Sequence, residues 1–363
     1  MATTAAAAAG QPAPTPEASP PKKIVYWADL MRVLAIYLVV IIHTSGQLTG
    51  AWGKIPESDW IIGDIYGGIA RVGVPLFFML SGYLLLPRSE GLGAFYRKRV
   101  LKIVIPFVVW SAIYISISCY NQPDLCTRDY LMQFVLLKRS YFHLWFLYTL
   151  LGIYIIMPVL RLLVRPGGET MLWYAIGLWI LFQPVRTLMD TFLHVYLNIN
   201  SQLAIGFLPY FFLGYLLGEV KLTRLWLTAA AALFAAGAGI TIVGTYILTR
   251  NAGQFRGYFY DYITLGVILA TAGAFLLLRG LSDVPLLSTE RAHRFLRWVA
   301  GGTFGTYLIH IMFLWVLDWL HISTFMGWAL WTVPFVATLA FALAFLATRL
   351  LQKIPVVNYI VPG

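Results

Sequence analysis

Stretches of about 20 consecutive, predominantly apolar residues recur along this chain, and each is long enough to cross a roughly 30 Å hydrocarbon layer as an α-helix. Such a layer offers no water to unpaired backbone N–H and C=O groups, so a spanning segment must satisfy them internally, as a helix does. Reading the apolar runs against charged and Pro/Gly-rich breaks predicts ten spans, at about 26–46, 66–86, 101–120, 143–164, 171–189, 203–219, 225–248, 260–278, 299–317 and 328–349. The fold class is therefore all-α, a polytopic integral membrane protein with about ten transmembrane helices. Composition closes off the soluble alternatives: 60% hydrophobic and 11% charged residues among 363 leave too few charges to clothe a soluble surface of this size. Rossmann, barrel and sandwich enzymes are excluded.

Residues 1–24 are dominated by Ala, Thr and Pro, cannot bury a core, and read as a disordered cytoplasmic leader. Lys22 and Lys23 follow the alanine run rather than precede it, which makes the first hydrophobic segment an uncleaved span and not a signal peptide. Residues 25–353 form one transmembrane domain and 354–363 a short cytoplasmic tail. The apolar stretch 130–137 in the third loop reads as a partial or interfacial segment. No internal repeat supports an inverted-repeat architecture. The net charge of +11 raises nucleic acid as a partner, but the basic residues sit in short loops rather than on one face, so no nucleic acid is expected. Eighteen of the 26 Lys and Arg residues fall on the side that carries both termini, which predicts that side to be cytoplasmic. Cys119 and Cys126 flank a Gln-Pro-Asp stretch at the outer end of the third span; a disulfide and two free thiols both remain open.

The first span carries Asp29, Arg32 and His43. Eleven residues from Arg32 to His43 make three helical turns plus about 20°, so the two share a face, with Asp29 about 60° away. Ionisable groups at such depth normally face a bundle interior or a wet cavity. The alternative is an Asp29–Arg32 pair at the interface and a histidine hydrogen-bonded between helices.

The surrounding wording narrows this. Arg32-x10-His43, Gly73-Val-Pro-Leu-Phe-Phe-Met-Leu-Ser-Gly-Tyr83, Phe95-Tyr-Arg-Lys-Arg-Val-Leu-Lys102, His143-Leu-Trp-Phe-Leu-Tyr148 and Phe212-Leu-Gly-Tyr-Leu-Leu-Gly218 occur in this order. From about Tyr26 to Leu351 the chain resembles the acyltransferase 3 family of membrane proteins, especially stand-alone O-acetyltransferases of bacterial surface polysaccharides such as the enterobacterial common antigen type. The resemblance implies an acyltransferase 3 domain over 25–353 in the bacterial inner membrane, with acetyl-CoA as donor and no metal. It maps the Arg-x10-His signature onto Arg32 and His43. The family's paired arginines fall on Arg99 and Lys102, the second a departure that loses the planar guanidinium fork.

On the residues themselves, His43 is the general base for a sugar hydroxyl, since a neutral imidazole nitrogen accepts a proton near pH 7. A covalent acetyl-histidine relay is equally compatible. Arg32 and Asp29 complete the catalytic group, and Arg97, Lys98, Arg99 and Lys102 are expected to hold the phosphates of coenzyme A. Arg71, His143 and His310 are expected in an acceptor cavity on the outer half. Asp29, Glu219, Asp261 and Asp318 are candidate partners for His43. Ser81 lacks a nucleophile elbow and reads as a packing residue. No Walker loop, dinucleotide turn or metal-ligand cluster appears in the sequence. The expected partners are acetyl-CoA, a glycan or lipid-linked sugar acceptor and the lipid bilayer. The rival readings are a transporter or flippase of a polar metabolite, and the same fold using succinyl-CoA.

Overall fold

The computed structural model describes residues 26–127, 141–164, 168–193, 206–281 and 289–363. The expected leader, the stretch 130–137 and the start of the span at 203–219 lie outside them. Among the described residues all regular structure is helical. The principal helices are α1 (Tyr26–Thr49), α2 (Glu57–Ala70), α3 (Gly73–Leu85), α4 (Leu92–Arg99), α5 (Ile105–Asn121), α6 (Trp145–Leu163), α7 (Glu169–Ile180), α8 (Leu208–Glu219), α9 (Arg224–Ala252), α10 (Leu265–Gly280), α11 (Glu290–Ala300), α12 (Thr303–Trp319) and α13 (Ala329–Leu351).

Among the described residues, seven helical stretches are long and apolar enough to cross a membrane, and an eighth joins them if α11 and α12, bent by 55° at Gly301 and Gly302, cross together. The protein is thus a multi-pass membrane protein, with seven to eight such spans where the sequence suggested about ten. The difference falls at 171–189 and 203–219. There α8 has 12 residues, about 18 Å of helix and short of the hydrocarbon layer, whereas from α7 the chain stays helical to Leu193 but carries Gln183, Pro184, Arg186 and Asp190 in its second half. Pro184 lies in a π-type turn, Leu181–Val185, that interrupts the regular α-geometry of that stretch, and Pro209 sits in the first turn of α8, where a missing N–H costs nothing.

Helix α1 is the hub of the bundle, packed by α2, α3, α10, α11, α12 and α13, and it is accordingly apolar nearly all round. Close helix crossings rest on small residues. A Cβ at Gly82 of α3 would overlap the backbone of Phe211 in α8, and one at Gly214 of α8 would overlap the backbone of Met79. This pair of glycines lets two backbones touch where lipid supplies no hydrophobic drive. It also explains how the short α8 is buried at ten of its 12 residues.

Helices α2 and α3 meet at Arg71 and Val72, both in right-handed helical conformation, and form one 29-residue stretch from Glu57 to Leu85. Gly73 lies against Leu38 and Val39 of α1, and Gly67 against Ser45. The two segments therefore run antiparallel, and His43 and Arg71 lie at one level. After α13 the chain doubles back. Gln352 Nε2 donates to the carbonyls of Gly301 and Val361, each at 3.0 Å, Trp110 Nε1 donates to Ile360 O at 2.9 Å, and Val361 is fully buried. Residues 354–363 are thus docked under the bundle rather than a free tail. Cys119 and Cys126 are disulfide-bonded, with Cα atoms 5.5 Å apart.

Candidate active site

A cavity of about 520 Å³ enters the bundle from the end where α1 starts. Its mouth carries Asp29, Arg32, Lys102 and Arg297, and its inner walls are Val39, Phe146 and Tyr307. Val39 precedes His43 by four residues and Tyr307 precedes His310 by three, so each wall residue lies one helical turn below a histidine on the same face. The cavity is aimed at those histidines. Ser81, read from sequence as a packing residue, lines it, while its neighbour Gly82 makes the packing contact.

Above the cavity, three histidines from α1, the start of α6 and α12 converge. The His43 and His310 rings are 5.2 Å apart between centroids, and His310 and His143 are 5.4 Å apart. Backbone bonds fix this layer. Tyr307 Oη donates to His143 O at 2.6 Å, Tyr114 Oη donates to Leu308 O at 2.7 Å, and His310 Nδ1 lies 2.6 Å from Tyr307 O. A ring nitrogen so close to a carbonyl oxygen carries the proton, which leaves Nε2 of a neutral His310 as an acceptor. That Nε2 is buried without a partner, as are both ring nitrogens of His143. His43 is half-buried, with Phe142 at its edge. Among the described residues no group of three His, Cys, Asp or Glu has metal-ligand geometry.

Arg71 closes the same layer from the α2–α3 junction. Its guanidinium lies over the Tyr260 ring at 4.2 Å and near Tyr262 at 5.7 Å, and its Nε is buried without a hydrogen-bond partner. None of the ion pairs among the described residues includes it. Tyr260 Oη in turn donates to Asp64 Oδ1 at 2.6 Å, and Asp64 Oδ2 is buried and unpartnered. Asp64 is a residue that sequence reasoning missed: starting the second span at 66 left it in a loop, whereas the helix begins at Glu57. The available signal was an acid seven residues before Arg71, two helical turns away on one face.

The residues grouped as catalytic in sequence separate in space. Asp29 and Arg32 are ion-paired at 2.6 Å at the cavity mouth, and Asp29 lies 14 residues, about 21 Å of helix, from His43. Asp29 therefore holds Arg32 and is out of reach of the imidazole. No ion pair joins His43 to Glu219, Asp261 or Asp318 among the described residues. Asp261 caps the backbone N–H of Ile263.

The expected phosphate cluster separates too. Glu90 accepts from Lys98 Nζ at 2.7 Å, from Arg161 Nη2 at 3.3 Å and from Arg99 Nη1 at 3.5 Å. Both guanidinium groups lie over the Phe95 ring, at 4.1 Å and 4.7 Å. Burial alone would raise the Glu90 carboxyl, but the Lys98 and Arg161 hydrogen bonds and the Arg99 charge outweigh it and hold the group below the ordinary carboxylate range. Arg97 is exposed, and of the four basic residues only Lys102 lines the cavity. The cause is Pro106: it cannot donate to the preceding turn, and the chain passes through a π-type turn, Val100–Val104, which rotates Lys102 away from the face of Arg99.

Comparison with known proteins bears on this geometry. The family described as an acyltransferase domain matches residues 25–348. Among curated proteins, a succinoglycan biosynthesis protein, ExoH, of Rhizobium meliloti (strain 1021) is 33% identical over 90 residues, 23% of this chain and 24% of that protein. A serine/alanine racemase of Enterococcus gallinarum is 28% identical over 161 residues, covering 42% of this chain and 22% of the relative. An amino-acid racemase of Enterococcus faecalis is 28% identical over 123 residues, 33% of this chain and 16% of the relative. The matched stretches thus span less than a quarter of each relative. No solved structure matches the chain significantly.

Proposed function

The chain belongs to the acyltransferase family, and on that premise we propose that it is a membrane O-acyltransferase. It moves an acetyl group from coenzyme A on one face of the membrane to a hydroxyl of a surface polysaccharide, exopolysaccharide or lipid-linked sugar reached from the other. The observation that carries this reading is the cavity whose charged mouth holds Arg32, Lys102 and Arg297 and whose lining residues Val39 and Tyr307 lie one helical turn from His43 and His310. Phosphates sit at the mouth, the flexible thioester arm follows the apolar walls, and the acyl carbonyl reaches the histidine layer.

There His43 takes the proton of the acceptor hydroxyl as the oxygen attacks the thioester carbon. The tetrahedral intermediate collapses with cleavage of the C–S bond, and the proton passes from His43 to the departing thiolate. His310, with an unpartnered Nε2 lone pair on a ring 5.2 Å from that of His43, is the neighbour placed for the orienting role that the sequence left to a carboxylate. The succinoglycan after which the relative ExoH is described supports a glycan acceptor. The Lys/Arg bias supports a cytoplasmic mouth. So does the Cys119–Cys126 bridge, at the far end of α5 from Lys102, because disulfides persist in oxidising compartments.

Arg71, free of ion pairs at the level of His43, favours one variant of this reading, in which the acyl group bears a distal carboxylate, as in succinyl-CoA. Detergent-purified protein given labelled acetyl-CoA and succinyl-CoA tests both: the preferred thioester is hydrolysed or its acyl group transferred. A transporter does neither, and that result would remove the enzymatic reading. Loss of succinyl but not acetyl turnover in Arg71→Gln would select the dicarboxylic donor.

A further inference from the structure

A second concavity, a groove of about 890 Å³, opens on the outside of the bundle at the same end as the cavity mouth. Leu101, Trp298 of α11, Leu346 and Leu350 of α13 and Tyr359 of the returning tail form its walls. These side chains face outward: Leu346 is 54% exposed, Leu350 62% and Tyr359 55%. They lie where two long spans end, so the groove opens toward the bilayer rather than toward bulk water. One edge is cationic, with Lys102, whose Nζ donates to Gly363 O at 3.1 Å, Arg349 and Lys353, and among the described residues no acidic side chain lines the groove. Arg349 is held in place, with Nη1 donating to Gln352 Oε1 at 2.5 Å and the guanidinium 5.3 Å from the Trp298 ring. Lys353 is exposed.

Apolar walls facing outward beside cations that make no ion pair among the described residues match a molecule with an acyl chain and an anionic head. We propose that this groove binds an anionic glycerophospholipid of the leaflet at the basic face, its phosphate at Lys353 and Arg349 and one acyl chain along Leu346 and Leu350. Lys102, Pro362 and Gly363 line both the groove and the catalytic cavity, so the lipid braces the returning tail at the cavity mouth. The same phosphate chemistry resides in the nucleotide end of coenzyme A, but the walls are apolar and exposed to lipid, which selects the phospholipid.

The test uses the full chain, stripped of lipid in mild detergent and titrated with phosphatidylglycerol or phosphatidylcholine of identical chains, with binding read by native mass spectrometry. Phosphatidylglycerol should bind the more tightly. Lys353→Gln should weaken it about fivefold, the effect of one surface charge, with Lys353→Arg restoring it. Leu350→Asn should weaken both lipids. Each variant is first checked for monodispersity, and binding is read without turnover, so the outcome is independent of the proposed acyl transfer. Coenzyme A should not displace the lipid. Equal binding of the two lipids, or unchanged binding in Lys353→Gln, overturns the proposal. Displacement by coenzyme A together with weaker coenzyme A binding in Lys353→Gln overturns it in favour of the donor's nucleotide end.

Discussion

The two ends of the central cavity treat their polar groups in opposite ways. At the basic end the acids Asp29 and Glu90 are held in ion pairs, Asp29 with Arg32, and Glu90 with Lys98, Arg99 and Arg161, and the cations left over, Lys102 and Arg297, line the mouth. In the histidine layer the buried polar atoms of His143, His310, Arg71 and Asp64 include several with no partner. Buried polar groups are ordinarily hydrogen-bonded, because an orphan forfeits its hydration without return. A cluster of such atoms is where water or a bound group supplies the partners, whereas a closed network acts as a staple. On this comparison we propose the layer around His43 as the reactive region. Much of the basic run, attractive as a phosphate site in sequence, is scaffold.

The sharpest way to break that contrast is His43→Ala. Transfer should fall by about 10²- to 10⁴-fold, the usual worth of a positioned general base, while the protein still inserts and purifies as one species. Near wild-type turnover would move the chemistry elsewhere. Next comes Glu90→Gln, which leaves Arg99 and Arg161 without their shared carboxylate and should lower stability in detergent by about 2 kcal/mol, with donor affinity unchanged. Its pH signature has a definite sign. The folded Glu90 carboxyl lies below its unfolded value, so its contribution is present above the unfolded pKa and lost as pH falls through the depressed one. Thermal melts across the acidic range should show that loss in wild type and not in Glu90→Gln.

A smaller effect is expected at Lys102. Lys102→Gln should raise the dissociation constant for acetyl-CoA roughly tenfold, as for a lost charged hydrogen bond, and flatten its salt dependence, whereas Arg97→Gln should leave both alone. Calorimetry at two salt concentrations checks this, and equal effects at the two positions would return the whole basic run to donor binding. The mildest change is Tyr260→Phe. It keeps the ring beneath Arg71 and removes only the bond to Asp64, at a cost of about 1 kcal/mol in stability and a few-fold change in turnover. Abolished transfer in that variant would draw Asp64 and Tyr260 into the chemistry.

Much of this was legible in the sequence. Span lengths follow from apolar runs, and the three-turn register between Arg32 and His43 follows from helix geometry, so both ends of the cavity could be named in advance. Arg71, His143 and His310, expected together, converge in one layer with His43. Asp64 was lost because a single acid near an apolar run looks like a span boundary, although a helix buried on that side can hold it against Tyr260. Helices well short of a full crossing, such as α8, also mislead, since hydropathy sees the apolar run and not the proline at which the helix begins.

The sequence by itself determined that the chain is helical and membrane-embedded, and which side chains are too polar to face lipid, because those properties follow from local composition and from the cost of placing backbone and charge in hydrocarbon. Which of those polar groups are paired was decided only by tertiary structure. Glu90 meets Arg161 across 71 residues, Tyr260 meets Asp64 across 196, and Lys102 turns from Arg99 at a π-type turn. Each pairing depends on the contact between helices and on one irregular turn, and neither is encoded in the spacing along a single helix.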